Sequence, residues 1–162
     1  MDEIILREIQ PGDNAALAVV IRNALTEFKA NKPGTVFYDD TTDHLFELFQ
    51  GTRGFYNVAL LNGQVVGGAG IFPTDGLEPD TCELVKMYLA PAARGKGIAN
   101  QLMHACLTAA RFTGFKKIYI ETMPELKIAI PMYEKFGFTY LNGPLGNSGH
   151  NGCDVWMMKV LD

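Results

Sequence analysis

Arg94-Gly95-Lys96-Gly97 lies between an apolar run and a stretch of helical spacing, and together the four residues make an anion trap. The first N–H groups of a helix have no acceptor inside it, and the aligned peptide dipoles put roughly half a positive charge there. Glycines at 95 and 97 let the backbone approach a ligand, while Arg94 and Lys96 add formal charge. A basic helix start with no ligand is the plainer alternative. The spacing is neither G-x-G-x-x-G nor G-x-x-x-x-G-K-[ST], so the loop lacks the marks of a dinucleotide or P-loop site.

A strand and a helix must hold that loop. Leu84, Val85, Met87, Tyr88 and Leu89 form a nearly continuous apolar run, which predicts a strand covered on both faces. Alternation puts Glu83, Val85, Met87 and Leu89 on one of them. Pro91 ends the strand, having no N–H for a ladder. From Ile98, apolar residues recur at helical spacing through Leu102, Ala105, Cys106, Ala109 and Phe112.

Upstream, residues 3–9 read as a strand and Pro11-Gly12-Asp13 as a turn, with Asp13 capping a helix. That helix buries Leu17, Val20, Ile21, Ala24, Leu25 and Phe28. Residues 31–35 break it, 36–40 run on as loop, and 42–49 form a short helix. Residues 55–61 and 64–72 flank Asn62-Gly63, the pair that suits a two-residue hairpin. Gly67, Gly68 and Gly70 weaken the second strand unless something packs closely against it. Downstream come a strand at 116–122 and a helix at 125–136, where Pro131 predicts a kink or a late start. A strand at 138–142, a loop at 143–152 and a strand at 155–160 complete the chain. The order β-α-α-β-β-β-α-β-α-β-β predicts an α/β fold: one domain over residues 1–162, a mixed central sheet flanked by helices, and a parallel pair around 82–122.

The chain of 162 residues carries a formal net charge of −4, so no basic field argues for nucleic acid or an anionic membrane as partner. Met1-Asp-Glu-Ile lacks the basic start and apolar region of a secretory signal, and no apolar run approaches the roughly 20 residues of a membrane span. Cys82, Cys106 and Cys153 are widely spaced and read as buried or free thiols in a reducing compartment, which predicts a cytoplasmic protein.

Arg94, Gly97 and Ala99 spell R-x-x-G-x-A after a strand ending Tyr88-Leu89-x-Pro91. This resembles the acetyl-CoA pyrophosphate loop, Q/R-x-x-G-x-G/A, of GNAT-type N-acetyltransferases. Tyr133-Glu-Lys-Phe-Gly137-Phe138 is similar to the Y-E-K-x-G-F segment of the same superfamily, and the hairpin before the core fits as well. The resemblance covers nearly the whole chain and does not identify a substrate. It implies a GNAT-like sheet whose two parallel strands splay apart for the pantetheine arm, and transfer of acetyl from acetyl-CoA to a primary amine by direct attack. It implies donor contacts from Met87, Tyr88 and Leu89, with backbone groups of Met87 and Leu89 pairing with the pantetheine amides. Arg94, Gly95, Lys96, Gly97, Ile98 and Ala99 would hold the pyrophosphate.

Tyr133 matches the superfamily tyrosine that protonates the CoA sulfur; otherwise it is a core aromatic beside Phe136 and Phe138. Glu83, six residues before Leu89, matches a catalytic glutamate of several members; otherwise it is a strand-end glutamate in solvent. Glu121 and His150 are further candidates for the base, whereas His44 and His104 read as helix-surface residues and Cys106 as core. No metal and no covalent nucleophile are required. One departure stands out. The superfamily often has a pantetheine-contacting asparagine seven residues before the tyrosine, and here that residue is Leu126; another residue or the backbone must make the contact.

Residues 31–41 and 143–152 are too long for simple connectors. In the resembled fold both would lie near the acetyl group, bringing Tyr38, Asp39, Asp40, Asn147, Ser148 and His150. Of these Tyr38, Asp39 and His150, with Glu121, are expected to grip the acceptor, a small-molecule amine or a peptide. A homodimer is left open. The competing readings are a non-catalytic acyl-CoA sensor or interaction domain on the same scaffold, and a plain α/β domain that binds no nucleotide.

Overall fold

The computed structural model describes residues 1–162. Strand β1 (Ile4–Glu8) leads through a 3₁₀ turn (Pro11–Asp13) to α1 (Asn14–Glu27). Two more 3₁₀ turns, Val36–Tyr38 and Asp40–Asp43, precede the short α2 (Leu45–Phe49). Then come β2 (Phe55–Leu61), β3 (Gln64–Phe72), β4 (Thr81–Leu89), α3 (Ile98–Thr113), β5 (Lys117–Thr122), α4 (Ala129–Lys135), β6 (Thr139–Tyr140) and β7 (Val155–Val160). They form a seven-stranded mixed sheet in the order β1-β2-β3-β4-β5-β7-β6, whose one parallel contact is β4 with β5. The alternation of elements expected from the sequence is the one observed.

Each face of the sheet carries its own core. On one, Leu17, Ile21 and Leu25 of α1 and Leu45 and Phe49 of α2 pack on Tyr56, Val58 and Val85. On the other, α3 buries Ile98, Leu102, Met103, Cys106, Leu107 and Ala110 against Ala69, Leu84, Ile118 and Ile120. The stripe on α3 is therefore rotated from the one read in sequence: Phe112 is 93% exposed, and Met103, Leu107 and Ala110 lie inward instead. Truncating Leu102 to alanine is expected to remove roughly 2–5 kcal/mol of stability.

Other boundaries move for local reasons. Asp13 does not cap α1; its carboxylate accepts from the Arg7 guanidinium at 2.8 and 3.0 Å and from the Gln10 N–H at 2.8 Å. The fourth helix starts late, at Ala129, which leaves Pro131 in the first turn, where a missing N–H loses no helical bond. The second helix also starts late, its expected first turn being 3₁₀, and β6 is trimmed to two residues. In β3, Gly68 and Gly70 lie under the Tyr56 ring; a Cβ on either would come within 2.7 Å of it. The close packing that would justify glycine in that strand is thus present.

The central strand departs most from its reading. Val85 pairs with Gly70 and Tyr88 with Gly68, so Lys86 and Met87 share the space opposite Ala69. This β-bulge puts Lys86 at φ +51°, in the left-handed region that a non-glycine residue occupies at roughly 1–3 kcal/mol of strain. The Tyr56 hydroxyl pins it by donating to the Lys86 carbonyl at 2.8 Å. The extra residue reverses the alternation. Val85 and Tyr88 face the α1 side, while Met87 and Leu89 join Cys82 and Leu84 on the α3 side. Glu83, Val85, Met87 and Leu89 accordingly do not share a face.

Candidate active site

β5 pairs with β7 along its full length, Lys117 to Thr122, but with β4 only from Thr81↔Lys117 to Glu83↔Tyr119. Past that pair the parallel strands part, and a cavity of about 340 Å³ occupies the gap. One wall is β4 from Glu83 to Leu89, the other is Ile120 to Met123 with Met132 and Tyr133, and the start of α3 closes one end. With β3 on its other side, β4 turns its unpaired edge into the cleft, where backbone N–H and C=O groups are available to an extended ligand.

At the α3 end, Gly97 caps the helix with φ +78° and Gly95 has φ +75°. Both conformations suit glycine, and both leave open space where a Cβ would stand. Arg94 and Lys96 are not free cations. Arg94 grips Glu27 at 2.7 and 2.9 Å, donates to the Leu89 carbonyl at 3.0 Å and lies over Phe28; Lys96 meets Asp2 at 2.6 Å. A phosphate arriving here would compete with those carboxylates. Of the donor-binding residues expected from sequence, Met87, Tyr88, Leu89, Arg94, Gly95, Gly97, Ile98 and Ala99 line the cavity and Lys96 does not. Tyr133 lines it while packing on Phe138 at 6.0 Å between ring centres, a core aromatic that also borders the cleft. Burial pushes its hydroxyl well above the ordinary value.

The other end of the cleft is polar. Glu83 is 3% exposed, which removes its reading as a solvent-facing residue, and its carboxylate accepts from the Thr74 hydroxyl at 2.6 Å. Burial is the main reason its carboxyl rises from 4.5 to about 7; Glu121 pushes the same way, while Thr74, His150 and Lys86 pull it down. Donor atoms of Glu83, Glu121 and His150 lie within 4.8 Å of one another, a spacing that can surround a metal ion or an alkylammonium. Glu121 is held by the Tyr119 hydroxyl at 2.8 Å and by Ser148.

The two long loops meet here. The Gly152 N–H donates to the Gly34 carbonyl at 2.8 Å, and His150 Nε2 lies 2.7 Å from Asp39 Oδ2. Asp39 also accepts from the Thr41 N–H and hydroxyl at 2.9 and 2.7 Å. The His150 bond, with help from Thr41 and Lys86, holds its carboxyl well below the usual range against the effect of burial. A second cavity of about 260 Å³, lined by Tyr38, Asp39, Ser148 and His150 among others, adjoins the cleft through His150. Tyr38 is an exposed residue of that vestibule, whereas Asp40 and Asn147 are exposed and line neither cavity.

Sequence reasoning passed over Lys86. Its side chain is 3% exposed, with Nζ 3.8 Å from Asp39 Oδ2, and burial lowers its pKa while Asp39 and Glu83 oppose that. A lysine inside a run read as buried on both faces was the available signal, because a buried charge needs a partner. The thiol of Cys153, which also lines the cleft, is pushed up to about 12, chiefly by burial.

Residues 21–138 match the family model described as "Acetyltransferase (GNAT) family". The chain is 42% identical over 159 residues to the "Uncharacterized N-acetyltransferase YjgM" of Escherichia coli K12, covering 97% of this chain and 95% of that one. Among solved structures, an acetyltransferase of the GNAT family from Staphylococcus aureus Mu50 superposes with a TM-score of 0.87 at 17% identity, covering 99% of this chain and 100% of its own. YncA from Salmonella typhimurium, solved with its cofactor acetyl-CoA, gives 0.75 at 21% identity over 99% and 95%.

Proposed function

The chain belongs to the GNAT acetyltransferase family and is an acetyl-CoA-dependent acyltransferase, and on that premise we propose that it acetylates a primary amine by direct attack, with Glu83 as base and Tyr133 as acid. The observation that carries this reading is the buried Glu83 carboxyl, set where the strands part, ringed by Glu121 and His150 and pushed up to about 7 by burial.

An alkylamine with a pKa near 10.4 is neutral in about one molecule in 2,500 at pH 7. The acceptor therefore arrives as an ammonium, and the carboxylates of Glu83, Glu121 and Asp39 favour that charge. A carboxyl poised near neutral pH is well matched to removing its proton. The amine nitrogen then attacks the thioester carbonyl carbon, a C–N bond forms, and the C–S bond breaks. The departing sulfur takes the Tyr133 hydroxyl proton, which solvent returns. Tyr133 is protonated at neutral pH, and the apolar cleft that raises its pKa raises the basicity of a thiolate there too. Direct attack also suits Cys153, whose thiol at about 12 supplies almost no thiolate for a covalent intermediate. Asp39, His150 and Tyr38 would orient the acceptor from the vestibule, which fits a small amine or the end of a peptide.

Turnover of acetyl-CoA against panels of small amines, amino acids and peptides tests the proposal. Acetylation of one class, with rates rising as Glu83 ionises near pH 7, is expected. CoA binding with no turnover across the panel would instead favour an acyl-CoA sensor.

A further inference from the structure

Five threonines are buried, and four have an evident use for their hydroxyl. Thr35 donates to the Lys32 carbonyl, Thr42 to the Val36 carbonyl, Thr74 to Glu83 and Thr81 to Asp80. Thr122, 3% exposed, has none, and its Oγ1 is the one buried side-chain nitrogen or oxygen in the protein without a hydrogen-bond partner. A buried hydroxyl left unpaired is a standing penalty to folding, so it calls for an explanation.

Its position supplies one. Thr122 ends β5, beyond the last pair with β4, and lines the cleft. Strand alternation puts it on the face of Ile118 and Ile120, the side where Tyr133 packs. Extending the parallel register three residues past Glu83↔Tyr119 sets Thr122 across the gap from Lys86, at the β4 bulge. An extended arm in this gap thus meets the free backbone edge of β4 on one side and Thr122 on the other. Leu126 also lines the cleft, but its side chain offers no polar atom. Oγ1 is closed to water as it stands, so a rotation about χ1 to another staggered position is the movement that would present it to the cleft Thr122 lines.

We propose that the Thr122 hydroxyl is the side-chain hydrogen-bond partner of the pantetheine arm, binding the amide nearest the thioester. The inference rests on acetyl-CoA occupying this cleft. Being a contact to a group that does not react, it acts on affinity and leaves the chemical step alone.

The test is calorimetric titration of CoA, with thermal melts of the free protein, for wild type, Thr122→Val and Thr122→Ser. Thr122→Val keeps the shape and removes the hydroxyl, so CoA should bind about three- to thirtyfold more weakly while the free protein melts at the same temperature or higher. Thr122→Ser should keep CoA affinity within about threefold. Adenosine 3′,5′-bisphosphate, which has no arm, should bind all three alike. The proposal is overturned if Thr122→Val binds CoA as wild type does, loses the nucleotide and CoA equally, or melts clearly lower. Failure of the wild type to bind CoA would overturn the donor reading with it; normal wild-type binding beside an unaffected Thr122→Val overturns this inference alone.

Discussion

Replacing Glu83 by glutamine should stabilise the protein, and only at high pH. The carboxyl ionises near 4.5 in the unfolded chain and near 7 in the fold, mainly because burial disfavours its charge. Between those values the folded state holds a proton that the unfolded state has released, so stability falls as pH rises through that window. Above about 7 the whole penalty stands, and a displacement of this size corresponds to about 3 kcal/mol. Glutamine never ionises, and its amide oxygen can still accept from Thr74. Relative to wild type, Glu83→Gln should thus be more stable by about 3 kcal/mol at pH 8–9 and by less than about 0.5 kcal/mol at pH 4.5. For a chain of this size that is roughly 6–12 °C in Tm at the higher pH. Paired melts of the two proteins across this range cancel the other titrating groups. A stability difference independent of pH, or a wild type that gains on the variant as pH rises, would show that the Glu83 carboxyl is not raised by burial in the fold.

The same variant should lose turnover most at low pH and recover partly as pH rises, since more of the amine is then neutral; pH–rate profiles of the two proteins check this. Tyr133→Phe should lower turnover by about one to three orders of magnitude with CoA affinity nearly intact, because packing on Phe138 needs only the ring; stopped-time assays beside calorimetry separate the two effects. Asp39→Ala and His150→Ala should raise the acceptor's KM and leave that of acetyl-CoA within about twofold, as measured by varying each substrate in turn. Arg94→Ala should shrink the rise in Tm that acetyl-CoA produces, and Gly97→Glu should nearly abolish it, since glutamate adds both strain at φ +78° and a repelling charge.

Much of this architecture could be read from local signals. Asn62-Gly63 marks the hairpin, whose strands run as expected, and Gly97 marks the start of α3. The apolar run at residues 84–89 was legible as a buried strand, but the bulge within it was not. A lysine at φ +51° carries no sequence signature of its backbone; it is held there by Tyr56, which comes from another strand. Because that one residue reverses the alternation, every assignment of faces beyond it was displaced. The rotated stripe on α3 has a related cause. Phe112 fits the helical period, yet it falls off the side that the sheet covers, and periodicity alone does not say which of two adjoining stripes is covered. Loop length picked out the two stretches that meet at the polar vestibule, but the Asp39–His150 bond joins residues far apart in the chain and needed coordinates. So did the splay of β4 from β5, since a strand's sequence does not say where its pairing stops.

Acetyl-CoA is expected to thread the gap between β4 and β5 and to present its acetyl group to Glu83. A crystal structure of the acetyl-CoA complex tests this most directly. The pyrophosphate should lie on the backbone N–H groups of residues 95–99 and the arm along the free edge of β4. The sulfur should lie within hydrogen-bonding reach of the Tyr133 hydroxyl, and the acetyl carbonyl carbon should face Glu83, Glu121 and His150. An acetyl group directed away from Glu83, or a donor bound outside the gap, would exclude Glu83 as the base and the β4–β5 gap as the donor site.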